Sequence, residues 1–428
     1  MKNLYVQQSQ LSGTLALPAS KSHTMRALLF ATLADGTSVI NNPLLSPDTD
    51  AMIIACQQLG ATITHTKNQL TAIGTSGSLK TPSSAIDAGN SGQVLRFIAC
   101  LAGLQPGRMD ITGDHSICHS RPVKPLLSAL KQLGLTAQSI HNNDHPPLSI
   151  EGPYTNSYAE LDGSDSQPVS GLFMAAAFRD EVTTHLTVSN PGETPWVLLT
   201  IDWLQRLGFT IEQSDFQQYI ISGKKTIPAF NYTVPSDLSA MAFPLVAALI
   251  TQSTLTLKNI DLNDPQGDKA ILDIVQRMGA QITIDTKQKT VTAHPSPSLR
   301  GITVDINHCI DTLPILSVLA CFAKGTSRIS GAAVARFKES NRLEAMQREL
   351  SKMGADITVT KDGLIIQPAK LHAAVVDSHQ DHRVAMACAV AGLAIPGKTL
   401  ITNCDCIQKS FPKFKQVMES VKAHIHQE

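Results

Sequence analysis

One short pattern recurs along the chain and constrains its fold more than any other feature. Leu59-Gly60-Ala61-Thr62-Ile63, Leu133-Gly134-Leu135, Leu207-Gly208-Phe209-Thr210-Ile211, Met278-Gly279-Ala280-Gln281-Ile282 and Met353-Gly354-Ala355-Asp356-Ile357 are near copies. Each follows an amphipathic run of helical spacing, as in 51–59 and 343–353, and precedes an alternating β-branched segment. The glycine therefore reads as the residue that closes a helix, with a strand starting at once. Successive glycines are 74, 74, 71 and 75 residues apart. A sixth interval ends at the C terminus, just past the helix-like stretch 414–426. The pattern predicts six copies of a mixed α/β unit of roughly 70 residues, far longer than solenoid repeats.

A chain of 428 residues exceeds one ordinary core, so six copies divide most simply into two domains of three. A break fits near Val234-Pro235-Ser236-Asp237, and no low-complexity linker marks it, so the connection is short and hinge-like. A first strand over 4–17 precedes the first copy's helix and fits either half. Lys plus Arg and Asp plus Glu both total 35, so no overall basic field attracts nucleic acid or a membrane surface. An anion site must then be a local cluster. The start, Met1-Lys2-Asn3-Leu4, lacks the apolar run of a leader, and no 18-residue apolar stretch occurs, so the expectation is a soluble, cytoplasmic protein. Eight cysteines are scattered without a C-x-x-C pair and read as reduced core thiols; Cys404-Asp405-Cys406 alone is a weak metal signal.

Local clusters do occur, and they sit at helix starts. Leu17-Pro18-Ala19-Ser20-Lys21-Ser22 runs into a helical pattern that stops at Asp35-Gly36, with Ser22 and Arg26 on one face. Free N–H groups, the positive end of the helix dipole, a Lys, hydroxyls and an Arg together suit an oxyanion; a solvated basic turn is the alternative. No glycine-rich run precedes Lys21, so this is not a Walker loop. Asn90-Ser91-Gly92-Gln93 leads to Arg96, and Thr112-Gly113-Asp114 leads to Arg121-Pro122; a plain cap and a surface loop are their simpler readings. Arg336, Lys338 and Arg342 crowd one helix start with Glu339, against the dipole unless an anion binds there or the turn is merely solvated. Asp377-Ser378-His379-Gln380-Asp381-His382-Arg383 and Lys409-Ser410-Phe411-Pro412 open further helices, and Asp311 precedes the apolar run 315–322, where an ordinary N-cap is the simpler reading. Repeated cationic helix starts fit one pocket for a multiply charged anion, with Asp311 and Glu339 as candidate proton carriers.

Taken in order, these motifs resemble the enolpyruvyl transferase family, in the branch that uses shikimate 3-phosphate. They are Lys21-Ser22 with Arg26, Asn90-Ser91-Gly92 with Arg96, Thr112-Gly113-Asp114 with Arg121, Ser166-Gln167, Asp311-x-x-Pro314, Lys338-Glu339-Ser340-x-Arg342, Asp381-His382-Arg383 and Lys409-Ser410-Phe411-Pro412. They cover essentially the whole chain. The resemblance implies a two-domain inside-out α/β barrel of six βαβαββ units, three per domain. Residues 1–18 and 236–428 would form one domain and 19–235 the other, with the active site in the cleft. It implies transfer of the enolpyruvyl group of phosphoenolpyruvate to the 5-hydroxyl of shikimate 3-phosphate, by a monomer without cofactor or metal. Lys21, Ser22, Arg26, Ser166, Gln167, Asp311 and Lys338 would hold shikimate 3-phosphate. Lys21, Gly92, Arg121, Gln167, Arg342, Arg383 and Lys409 would hold phosphoenolpyruvate, flanked by Asp48 and Asn90. Asp311 would act as base, and Glu339 with Lys21 as proton donor.

The chain departs from the family pattern at Gln93, usually Thr, and at Asn341, usually Asp. It departs also at Asp165, where a small residue is common, and at Trp196, where a Tyr or Arg often lies. The runner-up is the sister branch that uses UDP-N-acetylglucosamine, which carries Asn after the first Lys, where this chain has Ser22. A non-catalytic anion-binding relative would lack a carboxylate or a clamp, and none is missing here.

Overall fold

The computed structural model describes residues 2–428, which divide into two compact units, 2–18 with Ser236–Glu428, and Ala19–Pro235. The described residues form six four-stranded sheets, three in each unit. One sheet shows how each is built. Ile86–Asp87 runs parallel to Arg108–Thr112, which pairs antiparallel with Leu148–Glu151, itself antiparallel to Thr136–Ser139. Helices join the parallel strands and a hairpin supplies the last two, which gives the mixed α/β copy expected from the repeat, in the βαβαββ order that the family resemblance implies.

The recurrent glycines behave as read. Gly60, Gly134, Gly208, Gly279 and Gly354 all have φ between +82° and +110°. In the first, the Gly60 N–H donates to the Gln57 carbonyl and the Ala61 N–H to that of Cys56, the paired bonds of a Schellman cap. The other four repeat this pattern. The sixth copy carries it too, but at Lys422, with φ +71° and the bonds Lys422 N–H to Glu419 and Ala423 N–H to Met418. Sequence reading misses this turn because a lysine replaces the glycine. The stretch 414–426 is accordingly two elements, helix Phe414–Glu419 and part of strand His424–Gln427.

The expected first strand over 4–17 is also two strands in two sheets. Leu4–Gln7 lies between Lys398–Thr402 and His424–Gln427, whereas Ser12–Ala16 runs parallel to Thr254–Lys258. Between them the backbone finds non-strand partners: the Ser9 N–H donates to the Leu393 carbonyl and the Leu11 N–H to the Ser253 hydroxyl. That breaks the ladder, and the apolar positions change phase there, from Leu4 and Val6 to Leu11, Leu15 and Leu17 across the polar run 7–10.

Each unit encloses helices that are apolar nearly all round. Every residue of Leu238–Ile250, Leu313–Cys321 and His382–Gly392 is buried in the first unit, and these three pack on one another. In the second unit Lys21–Leu33, Gly92–Leu101 and Ser166–Ala177 are buried over all but one or two residues. Helices of this kind have no solvent face, so they form the core with the sheets outside. Their starts are where polar groups accumulate. Among the described residues, no helix is long and apolar enough to cross a membrane.

Candidate active site

In the second unit Ser20 caps helix Lys21–Leu33, its hydroxyl accepting from the His23 N–H. Lys21 reaches Asp48 at 3.0 Å. Arg26 is almost fully buried and donates to the Thr200 hydroxyl from Nε at 3.0 Å and Nη2 at 2.8 Å, and to the carbonyls of Ser22 and Trp196. It faces the Phe97 ring at 5.2 Å, and no carboxylate among the described residues pairs with it. Burial lowers its guanidinium to about 9. A buried cation without a counter-charge is costly unless an anion joins it.

A second cluster surrounds Gly92. A Cβ placed there would lie 2.9 Å from Gln167 Oε1, 3.0 Å from Arg96 Nη1 and 3.1 Å from Arg121 Nη1, so three side chains converge where this residue has none. The departures from the family pattern have local explanations. Asp165 caps helix Ser166–Ala177, accepting from the Gln167 N–H at 3.0 Å, and pairs with Arg96 at 3.1 Å. Gln93 donates its amide to the Ser22 hydroxyl at 3.2 Å. Trp196 presents its carbonyl, not its ring, to Arg26. Ser166 donates its backbone N–H and its hydroxyl to Glu193, a buried carboxylate that sequence reading did not single out.

In the first unit the cations are not left for an anion to satisfy. Arg342 opens helix Arg342–Lys352, capped by Asn341, and is 1% exposed in its side chain. It donates to Asp311 at 2.7 Å, to Glu339 at 2.7 Å and to Asp381 at 2.8 Å. Arg383 reaches the other oxygen of Asp311 at 2.8 Å, and Lys409 the other oxygen of Glu339 at 2.8 Å. Asp311 is therefore no N-cap: the cap residue of Leu313–Cys321 is Thr312, without a side-chain bond. Burial pushes the Asp311 carboxyl up, but Arg383, Arg342 and Lys338 outweigh it and hold it far below the usual carboxylate range. Arg336 does not join the cluster. It turns to Glu344 and to the carbonyls of Thr360 and Lys361.

Asp381 is the residue that sequence reading undervalued. Fully buried, it caps His382–Gly392 through the Arg383 N–H and accepts from Arg342 and Ser340. Asp268 is another, buried on a 3₁₀ turn that packs against the turn bearing Asp311. For Asp381 the signal was its place in the Asp381-His382-Arg383 motif, and for Asp268 only an acid before an apolar run.

The sequence model of the family EPSP synthase (3-phosphoshikimate 1-carboxyvinyltransferase) matches residues 6–418. The chain belongs to the EPSP synthase family. It is 41% identical over 425 residues to the 3-phosphoshikimate 1-carboxyvinyltransferase of Chlamydia caviae, covering 99% of this chain and 94% of that protein. The corresponding protein of Chlamydia muridarum is 42% identical over 417 residues, covering 96% and 93%. Among solved structures, EPSP synthase from Acinetobacter baumannii superposes with a TM-score of 0.82 at 27% identity, over the full length of both chains. The α/β fold of six repeated units is thus the fold of this family. All eight cysteines are free thiols, and among the described residues no group of three or more His, Cys, Asp or Glu could hold a metal ion.

Proposed function

We infer that this chain transfers the enolpyruvyl group of phosphoenolpyruvate to the 5-hydroxyl of shikimate 3-phosphate. The products are phosphate and 5-enolpyruvylshikimate 3-phosphate, on the route to aromatic amino acids. The reading is supported by the family membership and, in the site, by one arrangement above all: Asp311 and Glu339 each bridged by two cations, with Arg342 common to both.

The reaction needs a proton delivered to the methylene carbon, which makes C2 electrophilic, and a base for the attacking hydroxyl. The hydroxyl oxygen then bonds to C2 while its proton passes to the base. Collapse of the tetrahedral intermediate breaks the C2–O bond to phosphate and removes a methyl proton to restore the double bond. We assign Asp311 as base and Glu339, with Lys21, as proton donor. In the free protein each carboxylate is held by two cations, which favours the charged, weakly basic form. Phosphoenolpyruvate brings a phosphate and a carboxylate that compete for Arg342, Arg383 and Lys409. Drawing those cations to the substrate raises the proton affinity of both carboxylates at the moment chemistry requires it.

The remaining assignments follow the same logic. Lys21, Gly92, Arg121 and Gln167 complete the phosphoenolpyruvate site. Ser22, Arg26, Ser166, Gln167 and Lys338 hold shikimate 3-phosphate, with the unpaired Arg26 as a clamp for one of its anionic groups. The two units act as domains whose site residues meet on the substrates, and the enzyme works as a cytoplasmic monomer without cofactor or metal. Phosphate release from phosphoenolpyruvate, assayed with each acceptor separately, tests the reading. Shikimate 3-phosphate should support turnover and UDP-N-acetylglucosamine should not; the opposite result reverses the assignment. Asp311→Asn should lower kcat by roughly a hundred- to ten-thousand-fold, with smaller changes in KM.

A further inference from the structure

The turn 377–381 contains two consecutive non-glycine residues in the left-handed region, His379 at φ +53° and Gln380 at φ +56°. L-residues adopt that conformation at an energetic cost, so something must hold them there. Within the turn the His379 N–H donates to Asp377 Oδ1 at 2.6 Å and the Gln380 N–H to the Ser378 hydroxyl at 3.1 Å, and from outside it the holder is Glu349. It lies on helix Arg342–Lys352, seven residues after Arg342, and its side chain is 0% exposed. Three donors converge on it: Lys352 Nζ at 2.7 Å, the Asp377 N–H at 2.8 Å and His379 Nε2 at 2.8 Å. An ionised carboxylate only accepts, so Nε2 carries the hydrogen. Asp377 ties the other side of the turn to Thr402 at 2.8 Å and Asn403 at 2.5 Å.

The turn leads directly into Asp381, which accepts from Arg342 Nε at 2.8 Å, and then into Arg383, which reaches Asp311. One helix therefore carries Arg342 at its start and, two turns later, the carboxylate that fixes the loop delivering Arg383. We propose that Glu349 and His379 are a positioning pair that keeps Arg342 and Arg383 in register for phosphoenolpyruvate. A fully buried ionised Glu contributes little that an apolar side chain would not, so its use here fits a demand for geometry over stability. Both residues act through Asp381, and neither is a catalytic residue. The proposal rests on the reading that Arg342 and Arg383 bind phosphoenolpyruvate.

His379→Gly separates backbone strain from the side-chain bond, because glycine accepts the turn's φ without penalty. We expect its unfolding temperature to fall only modestly, because relief of the strained φ offsets part of the bond lost to Glu349. Its KM for phosphoenolpyruvate should nonetheless rise roughly tenfold or more, the scale of a lost charge-assisted hydrogen bond. The KM for shikimate 3-phosphate and kcat should change far less. Glu349→Gln should shift the same constant selectively, and the double variant should be no worse than the more affected single one. An unchanged KM for phosphoenolpyruvate in His379→Gly overturns the proposal, as do additive effects in the double variant. Arg383→Ala measured alongside distinguishes the two levels. If it raises that KM while His379→Gly does not, only the positioning role falls; if it leaves KM unchanged, the reading of the site falls as well.

Discussion

Asp268→Asn removes a charge from a place where the protein does little to offset it. The Asp268 side chain is 0% exposed; one oxygen accepts from the Ser239 hydroxyl, and Oδ1 has no hydrogen-bond partner among the described residues. Burial is the main cause that pushes this carboxyl up, Asp311 and Asp237 add to it, and Arg383 and the Ser239 bond oppose it. The outcome is a rise from 3.8 to about 7. Folding therefore binds the proton more tightly than the unfolded chain does. Stability contributed by this group is present at low pH, is lost as pH rises from about 4 to about 7, and levels off above that. At about 1.4 kcal/mol for each tenfold change in proton affinity, the whole effect is on the order of 4 kcal/mol. About 2–3 kcal/mol of it falls between pH 5 and pH 8. Asn mimics the neutral carboxyl in shape and does not titrate, so the variant should escape that loss. Calorimetric unfolding of both proteins at pH 5, 6.5 and 8 cancels the contribution of every other titrating group. The variant's Tm relative to the parent should climb by roughly 5–10 °C across that range, for a unit of about 200 residues. A relative Tm that stays level or falls between pH 5 and pH 8 would show that Asp268 is already ionised in the folded protein, and would refute the reasoning.

Three further outcomes are expected. Lys422→Gly, at φ +71°, should stabilise the protein by about 0.5–1 kcal/mol, read from a shift of the denaturant midpoint at constant m; a loss of stability would mean that the lysine side chain does more than occupy the turn. Gly92→Ala should raise the KM for phosphoenolpyruvate more than that for shikimate 3-phosphate in steady-state kinetics, because its Cβ meets Gln167, Arg96 and Arg121 within 3.1 Å. Shikimate 3-phosphate alone should shrink the radius of gyration in solution scattering, since its proposed ligands are divided between the two units; superimposable curves at saturation would contradict a shared site.

The sequence by itself determined the repeat and most of the helix starts. A glycine after a helix is demanded by one residue's φ, and a capping Ser20, Asn341 or Asp381 by bonds spanning two or three residues, so both are written locally. Where the same local demand is met by an unfavoured residue, as at Lys422, the signal vanishes while the turn remains. Strand partners were less legible. The stretch from Leu4 to Leu17 reads as one strand only if the polar run 7–10 and the phase shift across it are passed over, and its two ends pair with strands of different sheets. The electrostatics of the site were decided by tertiary structure alone. Arg342 finds Asp311 and Asp381 across 31 and 39 residues, and Lys409 finds Glu339 across 70. Arg336, six residues before Arg342 and identical in type, turns away to carbonyls on the surface. Charge attracts charge at any sequence separation, and only the packing of the buried helices brings particular pairs within 3 Å.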